Sequence, residues 1–157
     1  MISNHLIETA YDEYFLIELY TTTGLNENDK PILNQSDPAL PVYGIRVLHV
    51  DARKNYVDGK VEYNDGSSYP TGFMCDNSDE KYCFVKMLGA CGEESEDGYA
   101  YEDSLFGVDG KDFGVDIYKD YKYHSGDALN FSIEVTGYTD SEATVTITVT
   151  GFSFDVQ

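Results

Sequence analysis

Three histidines are the first residues in this sequence that could carry chemistry. They are His5, His49 and His124, and no two of them are four residues apart, as a zinc-binding pair on a helix would be. The motifs H-E-x-x-H, G-x-S-x-G and G-x-G-x-x-G and the phosphate-binding P-loop are all absent. No flanking signature supports a Cys–His nucleophile. The sequence therefore predicts no catalytic residue and no residue that binds an organic cofactor.

His49 and Asp51 form the most suggestive local pair. They are two residues apart near the end of a predicted strand, so their side chains lie on the same face. In one interpretation the two share a metal ion or a proton. In the other, His49 is a half-buried histidine with its hydrogen bonds satisfied, and Asp51 caps or turns the chain. We favour the second interpretation.

Acidic loops provide a candidate calcium site. One loop is rich in glutamate over residues 93–103, and a second places Asp109, Asp112 and Asp116 around two glycines. Carboxylate oxygens on a glycine-containing loop suit calcium, which tolerates irregular coordination. Neither loop has the residue order of an EF-hand, and a solvated acidic surface is the alternative. Asp109, Asp112 and Asp116 are the calcium ligands that the sequence predicts.

Tyrosines could provide a surface for binding sugars. Five of the chain's 14 tyrosines are close together in the sequence, namely Tyr99, Tyr101, Tyr118, Tyr121 and Tyr123. Aromatic rings stack on sugars, but tryptophan, the more common residue for this purpose, is absent. Ordinary packing of half-buried strand residues explains the tyrosines equally well.

The three cysteines, Cys75, Cys83 and Cys91, are eight residues apart each time. No C-x-x-C pair is present, so a structural zinc site built on thiolates is not expected. An odd number allows at most one internal disulfide, Cys75–Cys83 or Cys83–Cys91. The alternative is three buried or free thiols.

The composition excludes several classes of partner. Ten basic and 29 acidic residues give a net charge of −19, which repels nucleic-acid phosphates and anionic lipid headgroups. No apolar run is long enough to cross a membrane, and the N-terminal residues show no signal peptide. The hydrophobic fraction of 41% is too high for a disordered acidic chain. We therefore expect one folded domain over residues 1–157 that binds no nucleic acid and inserts into no membrane.

Alternating apolar and polar residues predict an all-β fold. Strands are expected over residues 14–20, 44–50, 81–88, 128–135 and 143–149, with a turn at 137–142 and a further alternating segment at 152–156. The strand at 44–50 has apolar residues on both faces, which favours a central position. In the strand at 143–149, Val145, Ile147 and Val149 are expected to face inward. Helical periodicity is weak, so we predict an antiparallel, jelly-roll-like β-sandwich with little helix.

Two of these strands also carry a family resemblance. The sequence E-Y-F-L-I-E at 13–18, followed by L-P-V-Y-G-I-R-V-L-H-V-D at 40–51, resembles a stretch of secreted bacterial zinc metallopeptidases of the immune-inhibitor-A type. In that family the stretch lies downstream of the zinc motif, where the chain becomes β-rich. Residues 103–106 and the strand pair ending at 144–149 are similar more loosely. The strong part of the match covers about a quarter of the chain.

The resemblance implies a supporting role without catalysis. The family's zinc-binding helix and general base should precede Glu13, and only twelve residues do, so no ligand or base can be carried over to this chain. Either the chain is a C-terminal piece of a longer peptidase, which the missing signal peptide favours, or it is a free-standing relative. The resemblance implies an extracellular location, the catalytic domain of the parent peptidase as partner, and zinc only in that domain.

Two other functions remain as alternatives. The chain could be a stand-alone extracellular module that is stabilised by calcium or binds a carbohydrate or protein ligand. It could also be a hydrolase that uses two acids such as Glu18 and Asp51, a chemistry that requires a defined separation between the carboxylates.

Overall fold

A computed structural model describes residues 12–23, 26, 43–54, 56–57, 60–61, 84–95, 102–107 and 110–150. Eight strands lie within these ranges: β1 (Glu13–Thr21), β2 (Tyr43–Asp51), β3 (Tyr56–Val57), β4 (Lys60–Val61), β5 (Val85–Leu88), β6 (Glu94–Ser95), β7 (Phe131–Tyr138) and β8 (Ala143–Val149). Every strand pair is antiparallel. A 3-10 turn at Glu102–Ser104 is short, and no helix of the described part is long and apolar enough to cross a membrane. The prediction of an all-β fold is confirmed.

The largest sheet has four strands in the order β1-β2-β5-β6. β1 and β2 pair over their full length, from Glu13 opposite Asp51 to Thr21 opposite Tyr43. β2 has strands on both sides, as its two apolar faces predicted. Of the strand predicted at 81–88, residues 85–88 form β5 and pair with β2. Phe84 lies outside the strand, and residues 81–83 lie outside the described ranges.

β7 and β8 form a hairpin in which only β7 is well buried. β7 extends to Tyr138 through a bulge between Val135 and Gly137, so the turn is shorter than predicted and spans residues 139–142. Thr139 N donates to Glu142 O at 2.7 Å and closes that turn.

The prediction that Val145, Ile147 and Val149 all face the core was wrong. Ile147 and Val149 are each 42% exposed, although their cross-strand partners Ile133 and Phe131 are buried. The apolar residues of both strands share one face of the hairpin. The core lies beneath β7, however, and β8 extends beyond the edge of the core. Residues 152–156 lie outside the described part of the chain.

One core joins the sheet to the hairpin. The sheet contributes Phe15, Ile45, Val47 and Leu88, the hairpin contributes Phe131, Ile133 and Val135, and the segments between them contribute Phe106, Phe113 and Tyr123. Single bridges from Phe106 to Ile45 and from Phe113 to Ile133 connect these segments to both layers. The hydrophobic effect therefore holds the hairpin against one face of the sheet. The jelly-roll sandwich remains a prediction, since the described strands form one four-stranded and two two-stranded sheets.

Candidate functional site

The register of β1 against β2 gathers ionisable side chains at one end of the buried face. Glu13 pairs with Asp51, and Phe15 pairs with His49. Since alternate residues share a face, all four side chains point toward the hairpin side of the sheet. Each is at most 2% exposed. Burying ionisable groups is unfavourable unless they are paired and hydrogen-bonded, so their partners decide what this cluster can do.

The Glu13 carboxylate connects three parts of the chain. Its Oε1 lies 2.8 Å from Nε2 of His49 on β2 and also accepts the backbone N–H of His124. Its Oε2 accepts the backbone N–H of Ser125 at 3.1 Å and lies 3.4 Å from Nη2 of Arg53. A carboxylate with this many donors is well compensated for its burial.

Asp51 is held in a similar way on the same side. Arg53 donates to both carboxylate oxygens, from Nε to Oδ1 at 2.8 Å and from Nη2 to Oδ2 at 2.7 Å. Nδ1 of His124 lies 2.9 Å from Oδ2 of Asp51. The bidentate arginine neutralises a carboxylate that is fully buried.

The two imidazole rings lie side by side between these carboxylates. Their centres are 4.5 Å apart, and the His49 ring also stacks on Phe15 at 4.8 Å. Nδ1 of His49 is 2.9 Å from the hydroxyl of Tyr121. Both ring nitrogens of His49 therefore have a partner, and the ring is fixed in orientation by Phe15, Tyr121 and Glu13.

The pKa values of His49 and Glu13 are both lowered in this cluster. Burial lowers the pKa of His49 below its ordinary 6.5, although the hydrogen bond to Glu13 acts against that shift. Burial tends to raise the pKa of Glu13, but the hydrogen bonds from His49 and the His124 backbone, together with the charge of Arg53, hold it below 4.5. At neutral pH the pair is therefore a neutral imidazole beside a carboxylate, which is the protonation state that binds metal ions.

A tight loop brings His124 to the sheet. Tyr123 N donates to Asp127 O and Gly126 N donates to Tyr123 O, both at 2.9 Å. Gly126 has a φ of +95°, a left-handed conformation that favours glycine. The loop directs the backbone N–H groups of His124 and Ser125 toward Glu13, so the turn and the buried carboxylate stabilise each other.

Three residues of this cluster can act as metal ligands. One ligand atom from each of Glu13, His49 and His124 lies within 4.8 Å of the other two. Among the described residues this is the group of potential ligands that the structure brings together. Two imidazoles and one carboxylate form a donor set typical of zinc and other transition metals rather than of calcium.

His49 and Asp51 share a face of β2, as predicted, and both are almost fully buried, which is more than the half-buried position we favoured for His49. Asp51 ends β2 and accepts the Arg53 backbone N–H at 3.3 Å, so it also turns the chain. Glu18 lies on the opposite face from Asp51 and pairs with Arg46. These two acids therefore cannot act together on one substrate.

The predicted calcium loop is described only in part. Asp109 lies outside the described ranges. Asp112 N donates to the Asp116 carboxylate at 2.9 Å, so this carboxylate closes the turn at 112–116. No group of three ligands that includes Asp112 or Asp116 is found in the part of the chain that the structure describes. Calcium binding by Asp109, Asp112 and Asp116 remains a prediction.

The described tyrosines pack inward instead of forming an exposed platform. Tyr123 is buried, and Tyr118 and Tyr121 pack against the core. Burial raises the pKa of both Tyr118 and Tyr123. Tyr99 and Tyr101 lie outside the described residues. Of the cysteines, Cys91 has a free and exposed thiol in the structure. Cys75 and Cys83 lie outside the described ranges, so the pairing of the three cysteines remains a prediction.

Sequence reasoning did not single out Glu13 or Arg53 as site residues, and it considered Tyr121 and His124 without relating either of them to His49. A signal for Glu13 existed, because it lies two positions before Phe15 and so shares its face. His124 is more than 70 residues from His49 in an irregular segment, and no spacing rule relates the two.

Comparisons with known proteins give no relative: no family model, curated protein or solved structure matches this chain. Its function is therefore inferred from the geometry of the buried cluster and from the motif on β1 and β2.

Proposed function

We propose that this chain is a non-catalytic, β-rich region of a secreted zinc metallopeptidase, where it supports the catalytic domain or shapes the substrate cleft. The observation that carries this proposal is the position of the motif's polar residues in the structure. Glu13, His49 and Asp51, which belong to the stretch resembling those peptidases, all lie in one buried network.

Burial argues for a structural role of the network. A general acid or base must reach within hydrogen-bonding distance of a substrate atom. Glu13, His49 and Asp51 are at most 2% exposed, and their hydrogen bonds join them to one another's neighbours, Arg53, Tyr121 and the loop at 123–127. Fully satisfied buried polar networks rigidify a fold and specify one arrangement of its elements. This network orients the loop at 123–127 against the β1–β2 ladder, so it fixes the module's shape.

The charge of the module is compatible with an extracellular location. With 29 acidic and 10 basic residues, the surface favours solubility and repels other anionic surfaces. The partner proposed for it is the catalytic domain of the parent peptidase.

A hydrolysis assay tests the absence of catalysis. The purified chain is incubated with casein and with a mixture of fluorogenic peptides, with added zinc and with a chelator. We expect no cleavage above the buffer rate under either condition. Zinc-dependent cleavage that persists through repurification and disappears in the Asp51→Asn variant would overturn the proposal.

The coding sequence around this chain tests its parentage. We expect an H-E-x-x-H motif to be encoded in the same reading frame, upstream of the codon for Glu13. A complete reading frame without that motif would contradict the peptidase assignment. A specific glycan-array hit, or a melting temperature raised by calcium and not by zinc, would favour the stand-alone module instead.

A further inference from the structure

The buried cluster has two features of a metal site beyond the closeness of its ligands. Glu13, His49 and His124 come from β1, β2 and the loop at 123–127, so the three ligand atoms converge from three separate elements to within 4.8 Å of one another. Zinc–ligand bonds are about 2.0–2.2 Å long, so binding would draw these atoms together by a small side-chain adjustment.

The second feature is the set of groups behind the ligands. A histidine that binds a metal usually donates its other ring N–H to a carboxylate, a backbone carbonyl or water, and this hydrogen bond fixes the ring. His49 directs Nε2 to Glu13 and Nδ1 to the Tyr121 hydroxyl at 2.9 Å. His124 has its Nδ1 at 2.9 Å from Asp51, which Arg53 in turn holds with two hydrogen bonds.

From these two observations we propose that Glu13, His49 and His124 bind one divalent transition metal ion, with zinc as the expected ion. His49 and His124 coordinate through Nε2, and Glu13 coordinates through a carboxylate oxygen. Tyr121 and Asp51 are positioning residues that hold the two imidazole rings.

The chemistry of the donors selects the ion. Calcium and magnesium prefer oxygen ligands, whereas imidazole nitrogen suits zinc, copper, nickel and cobalt. The metal would take the place of the proton between His49 Nε2 and Glu13, while His49 would carry its proton on Nδ1 and donate it to the Tyr121 hydroxyl oxygen. The ion would connect β1, β2 and the loop in a single site. This inference is independent of the proposed function, because a metal ion that joins these elements would stabilise the module whether or not it belongs to a peptidase.

A metal titration of the whole chain tests the site. The chelator-treated protein is titrated with Zn²⁺ by calorimetry, with Co²⁺ by visible absorption, and with Ca²⁺ as the comparison ion. We expect one Zn²⁺ per chain, a melting temperature that rises with Zn²⁺ concentration, and no comparable response to Ca²⁺. The Co²⁺ spectrum should lack the sulfur-to-cobalt charge-transfer band that binding by cysteine would produce.

Matched histidine variants assign the ligands. His124→Gln removes the least buried of the three ligands and should weaken Zn²⁺ binding at least about tenfold, while His5→Gln should leave it unchanged. Asp51→Asn should weaken it by about 10- to 100-fold, the usual range for an orienting partner. The proposal fails if His124→Gln and His5→Gln bind Zn²⁺ equally, if the natively folded chain binds no Zn²⁺, or if the Co²⁺ band shows thiolate coordination.

Nuclear magnetic resonance keeps the test decisive if His124→Gln does not fold. In the ¹⁵N-labelled natural chain, Zn²⁺ should shift the ring nitrogens of two histidines and leave those of the third unchanged. The shifted pair should be the one that remains in the His5→Gln variant. Shifts of His5 alone, or of no histidine, would overturn the assignment.

Discussion

Two glutamates of the same strand have opposite surroundings. Glu13 and Glu18 are five residues apart on β1, so they lie on opposite faces of the sheet. Glu13 is 2% exposed and bonds His49, the loop at 123–127 and Arg53. Glu18 has a side chain that is 33% exposed, and its described partner is Arg46 on the neighbouring strand.

The difference shows what strand parity does to an ionisable residue. On the face that meets the hairpin, a carboxylate loses water and must obtain all its hydrogen bonds from the protein. Those hydrogen bonds then help to specify one arrangement of the surrounding elements. On the other face, a carboxylate keeps water as an alternative partner, and its ion pair contributes little. The same pairing register therefore produces a structural centre on one face and an ordinary surface pair on the other.

Truncation of the two glutamates should give the largest contrast. Glu13→Ala leaves several buried donors without their acceptor, so the free energy of unfolding should fall by about 3–5 kcal/mol. Glu18→Ala should lower it by less than about 1 kcal/mol. Equilibrium unfolding in urea, with a chelator present in both samples, measures the two values. Equal losses would mean that the Glu13 network contributes no more than a surface ion pair.

The hairpin offers an apolar version of the same contrast. Ile133 and Ile147 face each other across β7 and β8, yet Ile133 is 1% exposed and Ile147 is 42% exposed. Ile133→Ala creates a cavity in the shared core and should cost about 2–5 kcal/mol. Ile147→Ala should cost less than about 1 kcal/mol, because its side chain is already half in water. Similar losses would show that β8 is as well buried as β7.

Alternation predicted the strands better than it predicted their burial. β1, β2 and β8 lie where the pattern placed them, because residue type reports directly on a pleated backbone. The pattern could not show that β8 lies beyond the edge of the core. That depends on how far the four-stranded sheet extends beneath the hairpin, which is a property of tertiary packing. For this reason Ile147 and Val149 follow the alternating pattern that predicts burial, although each is 42% exposed.

The site was only partly accessible to sequence reasoning for a related reason. His49 and Asp51 could be placed on one face because they are two residues apart. Joining them to Glu13 required the register of β1 against β2, and joining them to His124 required the course of the chain through residues 110–127. Neither quantity is encoded in local spacing, so the cluster becomes visible only when the chain is folded.

Acid should destabilise the buried face in two steps. The folded pKa of His49 lies below 6.5 and that of Glu13 lies below 4.5, so the unfolded chain takes up each proton at a higher pH than the folded one. The stability that each group contributes is therefore complete above its ordinary pKa and is lost as the pH falls toward its folded pKa. The loss should begin below about pH 6.5, with a slope of up to about 1.4 kcal/mol per pH unit for one proton.

A variant isolates the histidine contribution to this pH dependence. His49→Gln cannot take up the proton, so its stability should vary less between pH 6.5 and pH 4.5 than that of the natural chain. His5→Gln serves as the control and should keep the natural slope. Unfolding in urea at a series of pH values, with a chelator present, gives the curves. If His49→Gln keeps the natural slope, the acid step belongs to another group.

Salt concentration should change the stability of variants on the two faces of the sheet by different amounts. These changes in the free energy of unfolding should be smaller than those described above. Arg46 lies over the Tyr20 ring at 4.5 Å and pairs with the partly exposed Glu18. Arg46→Gln should therefore lower the free energy of unfolding by less than about 1 kcal/mol at low salt. The loss should be smaller still at about 1 M salt, because charges are then screened within about 3 Å. Arg53 pairs with Asp51, and although a quarter of the Arg53 side chain is exposed, the Asp51 carboxylate is fully buried and out of reach of screening ions. The cost of Arg53→Gln should therefore be nearly the same at both salt concentrations. Equal salt sensitivity of the two variants would mean that water and ions reach both faces, and the distinction between Glu13 and Glu18 would then rest on hydrogen bonding alone.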